Sequence, residues 1–359
     1  MKRKFIPLII IFYFTGCLLS YSQTVRVCGT SEYDKYLRSI NPDYAKERDQ
    51  MENKMADFNA THPLQKNTSG PIVIPVVVHI VYNTPEQNLS DDQIVSQIDV
   101  LNEDYSTSNA NIVEVPSVWS HLVKNSGLTF RLARRDENGD STSGITRRLT
   151  SMGFFSTDNA VKHYSSGGSD AWDRNHFLNI WVCNLDGSVL GYAQYPDHSS
   201  STASTDGIVI GFESFGRIGN NLKPQYNLGR SATHEIGHWL NLVHIWGDAD
   251  CGDDHVDDTP KQKTNTFGCP EVVHVSCNNG PNGDMFQNYM DYTDDKCMML
   301  FTRLQIDRMI DALRMYRDSI YYQFAGIYAN PIGTLATDLQ ISEIDTPSGI
   351  ICKKNFNIN

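Results

Sequence analysis

Between Pro71 and Tyr82 the chain reads PIVIPVVVHIVY, a near-continuous β-branched run. Such a run predicts a strand buried on both faces. The next segment changes period: Ser90, Asp91, Asp92 and Gln93 form a capping box, and behind it Ile94, Ile98, Leu101 and Tyr105 share one helical face. Leu128 to Ala133 returns to a strand-like pattern. Strand, amphipathic helix, strand predicts a mixed sheet with helices packed on it, an α+β class. Further strands are expected at Phe177–Cys183 and Gly207–Ile210, with Val189–Gln194 between them as an edge strand. A second capping box, Thr302 to Gln305, opens a late helix that turns Ile306, Met309, Ile310 and Leu313 inward.

The flanks read differently. Lys2, Arg3 and Lys4 precede an apolar run from Phe5 to Leu19 that ends in Ser20-Tyr21-Ser22, the layout of a signal peptide cut after Ser22. The run is about 15 residues, short of the roughly 20 that a membrane-spanning helix needs. A rival cut lies before Cys17, where Phe14-Thr15-Gly16-Cys17 loosely resembles a lipoprotein site. Residues 23–68 are polar, with a helical stretch from Asp43 to Phe58 carrying Met51, Met55 and Phe58, and too little apolar content for a domain. They end in a linker around Lys66. The domain 69–330 follows. Residues 331–359 are rich in Pro, Gly, Thr and Ser and read as the start of a β-rich extension or a tail.

Composition narrows the classes. Thirty Lys+Arg stand against 42 Asp+Glu, a net charge of −12, so a nucleic-acid binder or a polybasic membrane-surface protein is not expected. Loss of the three N-terminal basic residues takes the charge to −15. Acidic residues are 31 Asp against 11 Glu, which fits a loop-rich protein with hard-cation sites. Seven cysteines remain after the leader, an odd number in an oxidising compartment, so at least one thiol is left over. Cys251, Cys269, Cys277 and Cys297 cluster and read as two disulfides, whose pairing the spacing leaves open.

The chemistry lies between His234 and His244. On a helix His234 and His238 are one turn apart on one face, with Glu235 beside them. Catalytic zinc needs three protein ligands and an open position, and His244 supplies the third if the helix stops and the chain turns back. Asn241 stands at that turn, tolerant of the left-handed conformation. Asn288-Tyr289-Met290-Asp291-Tyr292 follows downstream. HExxHxxNxxH with this methionine turn resembles the metzincin clan. The tail His244-Ile245-Trp246-Gly247-Asp248, the cysteine-containing insertion and the stretch Met290–Met298 resemble the pappalysin-like family, especially its secreted bacterial and archaeal members. The resemblance covers about residues 23–330. Its one departure is Asn241, where most metzincins have Gly.

That resemblance implies a zincin-like catalytic domain of two subdomains, with a twisted mixed sheet, an active-site helix and Met290 as a hydrophobic floor under the metal. It implies a secreted zinc endopeptidase in which Glu235 is the general base, and in which Tyr292 either stabilises the oxyanion or is a buried aromatic. Cys28 is expected to ligate zinc in a zymogen, against a disulfide with Cys352 or a free thiol. The resemblance pairs Cys251 with Cys277 and Cys269 with Cys297. It places calcium at Asp254, Val256 and Thr259, against a solvated acidic loop. Asp295 is expected to select Arg, then Lys, after the cut, against a role in capping local backbone or holding calcium. The substrate strand is expected beside Gly191, Tyr192 and Ala193. Protein or peptide substrates, a monomer and a secreted or surface-held location complete the expectation. The rival is a surface adhesin with a relic zincin fold, which the intact Glu235 disfavours.

Overall fold

A computed structural model describes residues 27–62, 71–322 and 324–330. The proposed signal peptide, the linker cut near Lys66, Cys17, the tail and Cys352 lie outside the described residues.

The described strands form one sheet. β1 is Val27–Cys28, β2 Ile72–Tyr82, β3 Leu128–Leu132, β4 Ile145–Leu149, β5 Leu178–Cys183, β6 Val189–Ala193 and β7 Ile208–Gly211. Their order is β1-β6-β7-β5-β2-β3, with β4 also on β2. β2 is the central strand: Ile72–Val76 pairs with β3, Val78–Tyr82 with β4, and Val76–Ile80 with β5 on its other side, all parallel. The β6–β7 pairing is antiparallel, so β6 and the β1 strand parallel to it run opposite to the rest. The even positions Ile72, Ile74, Val76, Val78 and Ile80 enter the main core. On the other face Val81 joins a second core with Trp181, Tyr192 and Val209. Burial on both faces is why β2 shows no polar alternation.

Helices α1 (Thr30–Ile40) and α2 (Pro42–Thr61) precede β2. Polar as this segment is, Tyr33, Leu37, Tyr44, Met51 and Met55 are all buried. α3 (Asp91–Ser106) packs Ile94, Ile98, Leu101 and Tyr105 on the sheet. Ser90 caps it by accepting from the Gln93 amide at 3.2 Å, but the expected capping box is not closed, because the Gln93 side chain donates to the Phe215 carbonyl instead. α4 (Arg230–Trp239) lies under the sheet, and α5 (Arg303–Tyr316) opens with a complete box between Thr302 and Gln305. Ile306, Met309 and Leu313 are buried and Ile310 partly so.

Between α4 and α5 the chain has no helix or strand apart from the turn Asp295–Cys297. Disulfides Cys251–Cys277 and Cys269–Cys297 cross-link it over separations of 26 and 28 residues. On chain entropy each closure stabilises by about 3–4 kcal/mol. Cys28 and Cys183 are free and buried.

One further expectation is corrected, and one alternative drops out. β6 is not the sheet's edge, because β1 pairs with it in parallel, Val27 opposite Val189 and Cys28 opposite Gly191. The thiol of Cys28 is free, so the alternative of a disulfide there does not hold.

Candidate active site

α4 ends where the metal chemistry needs it to end. Asn241 takes φ 72°, the Leu242 amide donates to the Gly237 carbonyl at 2.9 Å and the Asn241 amide to His238 at 2.9 Å. This is a left-handed helix stop, and it sends the chain back so that His244 faces the helix. His238 Nε2 then lies 3.1 Å from His234 Nε2 and 3.2 Å from His244 Nε2.

The other ring nitrogens fix the tautomers. His234 Nδ1 is 2.7 Å from the Tyr289 carbonyl, and His238 Nδ1 is 2.7 Å from that of Leu242. Carbonyls only accept, so both Nδ1 atoms carry hydrogen and both Nε2 atoms point lone pairs at each other. His244 Nδ1 is 2.6 Å from Asp248 Oδ1, the same arrangement with a carboxylate. Three converging lone pairs repel unless a cation lies between them. A tetrahedral ion with bonds of about 2.0 Å spaces its ligands by roughly 3.3 Å, so the donor set fits one.

Cys28 completes the group. Its Sγ and the three imidazoles all lie within 4.8 Å of one another, and Sγ is 3.5 Å from both Glu235 Oε2 and His238 Nε2. Burial, then the Glu235 charge, pushes the thiol well above its ordinary value; a bound cation reverses that bias. Thr30 Oγ1 donates to Glu235 Oε2 at 2.8 Å and accepts from the Ala193 amide at 2.9 Å. The segment thus covers the general-base candidate as well as the metal position.

Met290 is fully buried below the site. A Cβ on Gly237 would lie 2.5 Å from its sulfur, so only glycine lets the helix approach this closely. Tyr292 is half-buried, its ring 5.0 Å from that of His244 and 5.9 Å from that of His234. Burial, then the charges of Cys28 and Glu235, pushes its phenol up, so it remains a donor. Trp246 stacks on His244 at 4.4 Å.

The strand positions divide by face. Gly191 faces the site, where a Cβ would lie 2.9 Å from Glu235 Cγ. Its carbonyl accepts from the Gly29 amide at 2.8 Å. The Tyr192 side chain points away, buried against Tyr33.

Asp295 is fully buried, and its Oδ2 accepts from the amides of Leu228 at 2.9 Å and Arg230 at 3.3 Å, at the start of α4. Asp254 Oδ1 accepts from the Val256 amide, and the single hydroxyl hydrogen of Thr259 is shared between Asp254 Oδ2 and the Val256 carbonyl, each 2.7 Å from Oγ1. The three candidate calcium ligands are therefore adjacent, and burial pushes the Asp254 carboxyl up to about 6.

Thr30 and Tyr195 carry no signal in the sequence, and Asp248 stands there only as the end of the motif tail. Tyr195 is buried with its hydroxyl 3.4 Å from His238 Nδ1. Asp248 had a readable signal, its i+4 spacing from His244.

Residues 163–314 match the family model for peptidase M43, described as pregnancy-associated plasma protein-A. An extracellular metalloprotease of Pyricularia oryzae is 31% identical over 252 residues, 68% of this chain and 76% of its own length. One from Trichophyton verrucosum is 30% identical over 316 residues, 83% and 94% of the two chains. Among solved structures, a promirolysin point mutant of Tannerella forsythia superposes with TM-score 0.77 at 43% identity, covering 85% of this chain and all of that one. Mature mirolysin of the same organism, in complex with a cleaved peptide, gives 0.70 at 46%, covering 73% and all. No described helix is long and apolar enough to cross a membrane. The chain thus belongs to the peptidase M43, or pappalysin, family of metalloendopeptidases with the α+β metzincin fold.

Proposed function

We propose that the chain is exported as a zymogen and matures into a zinc endopeptidase that cuts before Arg and, less readily, Lys. The observation that carries this reading is the convergence of three imidazole lone pairs beside Glu235, with the Cys28 thiol as a fourth donor. His234, His238 and His244 hold the zinc, which when bound polarises the scissile carbonyl and acidifies water. Glu235 takes the water's proton and passes it to the leaving amine. Tyr292 donates its hydroxyl to the developing oxyanion. Met290 gives the site an apolar floor.

In the zymogen Cys28 occupies the position that water needs, and Thr30 ties up Glu235. Residues 23–68 are then the propeptide, removed by a cut near Lys66 after export has removed 1–22, and 69–330 is the catalytic domain. The larger share of the chain matched by promirolysin than by mature mirolysin supports this division. Calcium bound by Asp254, Val256 and Thr259 steadies the disulfide-linked loop. Asp295 lies one helical turn ahead of His234, and a carboxylate there pairs best with a guanidinium. The test is peptide-library cleavage by the matured protein with and without a zinc chelator, and with Glu235→Ala. Chelation should abolish cleavage and added zinc restore it. The variant should keep its metal and lose at least 10²–10⁴-fold in rate. Cleavage indifferent to both would overturn the proposal.

A further inference from the structure

Tyr33 belongs to the proposed propeptide and is completely buried, with Tyr36 of its own helix on one side and residues beyond the propeptide on the other. Its hydroxyl donates to Asn159 Oδ1 at 2.5 Å and accepts from Lys162 Nζ at 3.0 Å. Its ring lies 4.8 Å from that of Tyr192, and Lys162 Nζ is 4.3 Å from the Tyr33 ring centroid. Lys162 is itself fully buried on Trp181, with the Thr205 carbonyl at 2.6 Å as its other oxygen partner. A buried amine is tolerated only when its donors are met, and here the phenol meets one of them. Asn159, Lys162, Trp181, Tyr192 and Thr205 all lie beyond the propeptide.

We propose that this pocket is a subsite of the mature enzyme that takes a tyrosine side chain of a peptide substrate. The inference rests on the zymogen reading, since Tyr33 must leave before another phenol enters. Everything that recognises the phenol stays behind: an acceptor, a donor and an aromatic wall. The pocket lies on the sheet face away from Glu235, and the chain reaches it from the metal position by passing beside β6 at Gly29. Tyr33 is five residues from Cys28, mostly along a helix rising about 1.5 Å per residue, so roughly three or four residues of extended peptide bridge the metal position and the pocket. A site that hydrogen-bonds a hydroxyl discriminates against the analogue lacking it, so tyrosine should be preferred to phenylalanine.

The test uses the matured protein and fluorogenic peptides with one cleaved core. Tyr, Phe or Ala is placed two to five residues from the cut bond on either side. At one position Tyr should lower KM about tenfold relative to Ala, with kcat little changed and Phe intermediate. The ratio of Tyr to Ala peptide, taken within each enzyme, should fall towards one in Lys162→Met and in Asn159→Ala, the second guarding against a folding defect in the first. No advantage for Tyr at any position, or an advantage that survives both substitutions, would overturn the subsite while leaving cleavage of the Ala peptide intact. Failure to cleave any peptide would instead overturn the peptidase reading and this one with it.

Discussion

Glu52→Ala in the full-length proenzyme should speed maturation about 5–30-fold, although residue 52 touches neither Cys28 nor the histidines. Arg308 on α5 donates to both Glu52 oxygens, at 2.8 and 2.5 Å, and its Nε donates to the Asn241 carbonyl at 2.8 Å. Arg48, one turn earlier on α2, donates to Asn241 Oδ1 at 2.9 Å and lies 4.1 Å over the Tyr195 ring. The segment is therefore clamped to the turn between the second and third metal-ligand candidates. Hydrogen bonds between charged groups contribute about 1.5–3 kcal/mol. Glu52 is 41% exposed, so solvent screening reduces the pair to about 1–2 kcal/mol, a factor of about 5–30 in the open population. Although burial works the other way, the Arg308 hydrogen bonds hold the Glu52 carboxyl below its ordinary value. The clamp is thus present at neutral pH and is lost as pH falls through that lowered value. A gel time course of proenzyme conversion at low and high salt reads the effect, with wild type accelerated by salt more than the variant. Equal conversion rates for the two proteins would refute the argument.

Cys28→Ala should also speed maturation, because only the non-covalent clamp remains; unchanged latency would defeat the switch. At Asp254 the folded value of about 6 lies above the usual unfolded value of about 3.9, so the fold favours the proton and this group lowers stability as pH rises between the two. Calcium offsets that burial cost only once the proton has gone. Added calcium should raise Tm above pH 7, do so progressively less below pH 6, and do nothing for Asp254→Asn; an equal response at pH 5 and 7.5 counts against the site. Asp295→Ala should lose about 1 kcal/mol of stability through the uncapped amides of Leu228 and Arg230. If Asp295 also lines the specificity pocket, cleavage profiling of the variant should lose its basic preference, whereas an unchanged profile leaves it a cap alone.

The elements legible in the sequence were those whose pattern is local. β2 announced itself by β-branched content, α3 and α5 by caps and apolar faces, and the histidine helix by its spacing. β4 carries no readable pattern, since Ile145–Leu149 is half-exposed and arginine-bearing and is held mainly by backbone pairing to β2. α1 is not legible because its buried apolar residues, Tyr33 and Leu37, pack on a distant sheet face and look sparse in a polar context. The Ser90 box failed for the same reason, as Gln93 found a tertiary partner. At the site, the residue spacing marked the imidazoles, but contacts such as Thr30 with Glu235 and Tyr195 with His238 depend on chain separations that no local window spans.

The two disulfides overlap in sequence, one spanning 251–277 and the other 269–297. A backbone break anywhere between 251 and 297 therefore leaves its two ends joined through at least one bridge. This stretch exposes Phe267, Val272, Val273 and Val275 and has almost no regular structure, so it is the kind of surface that proteases attack first. A peptidase at high local concentration is surrounded by copies of itself. Self-digestion within the loop therefore releases no fragment that carries Met290 or Tyr292 away from the histidine helix after a single cut.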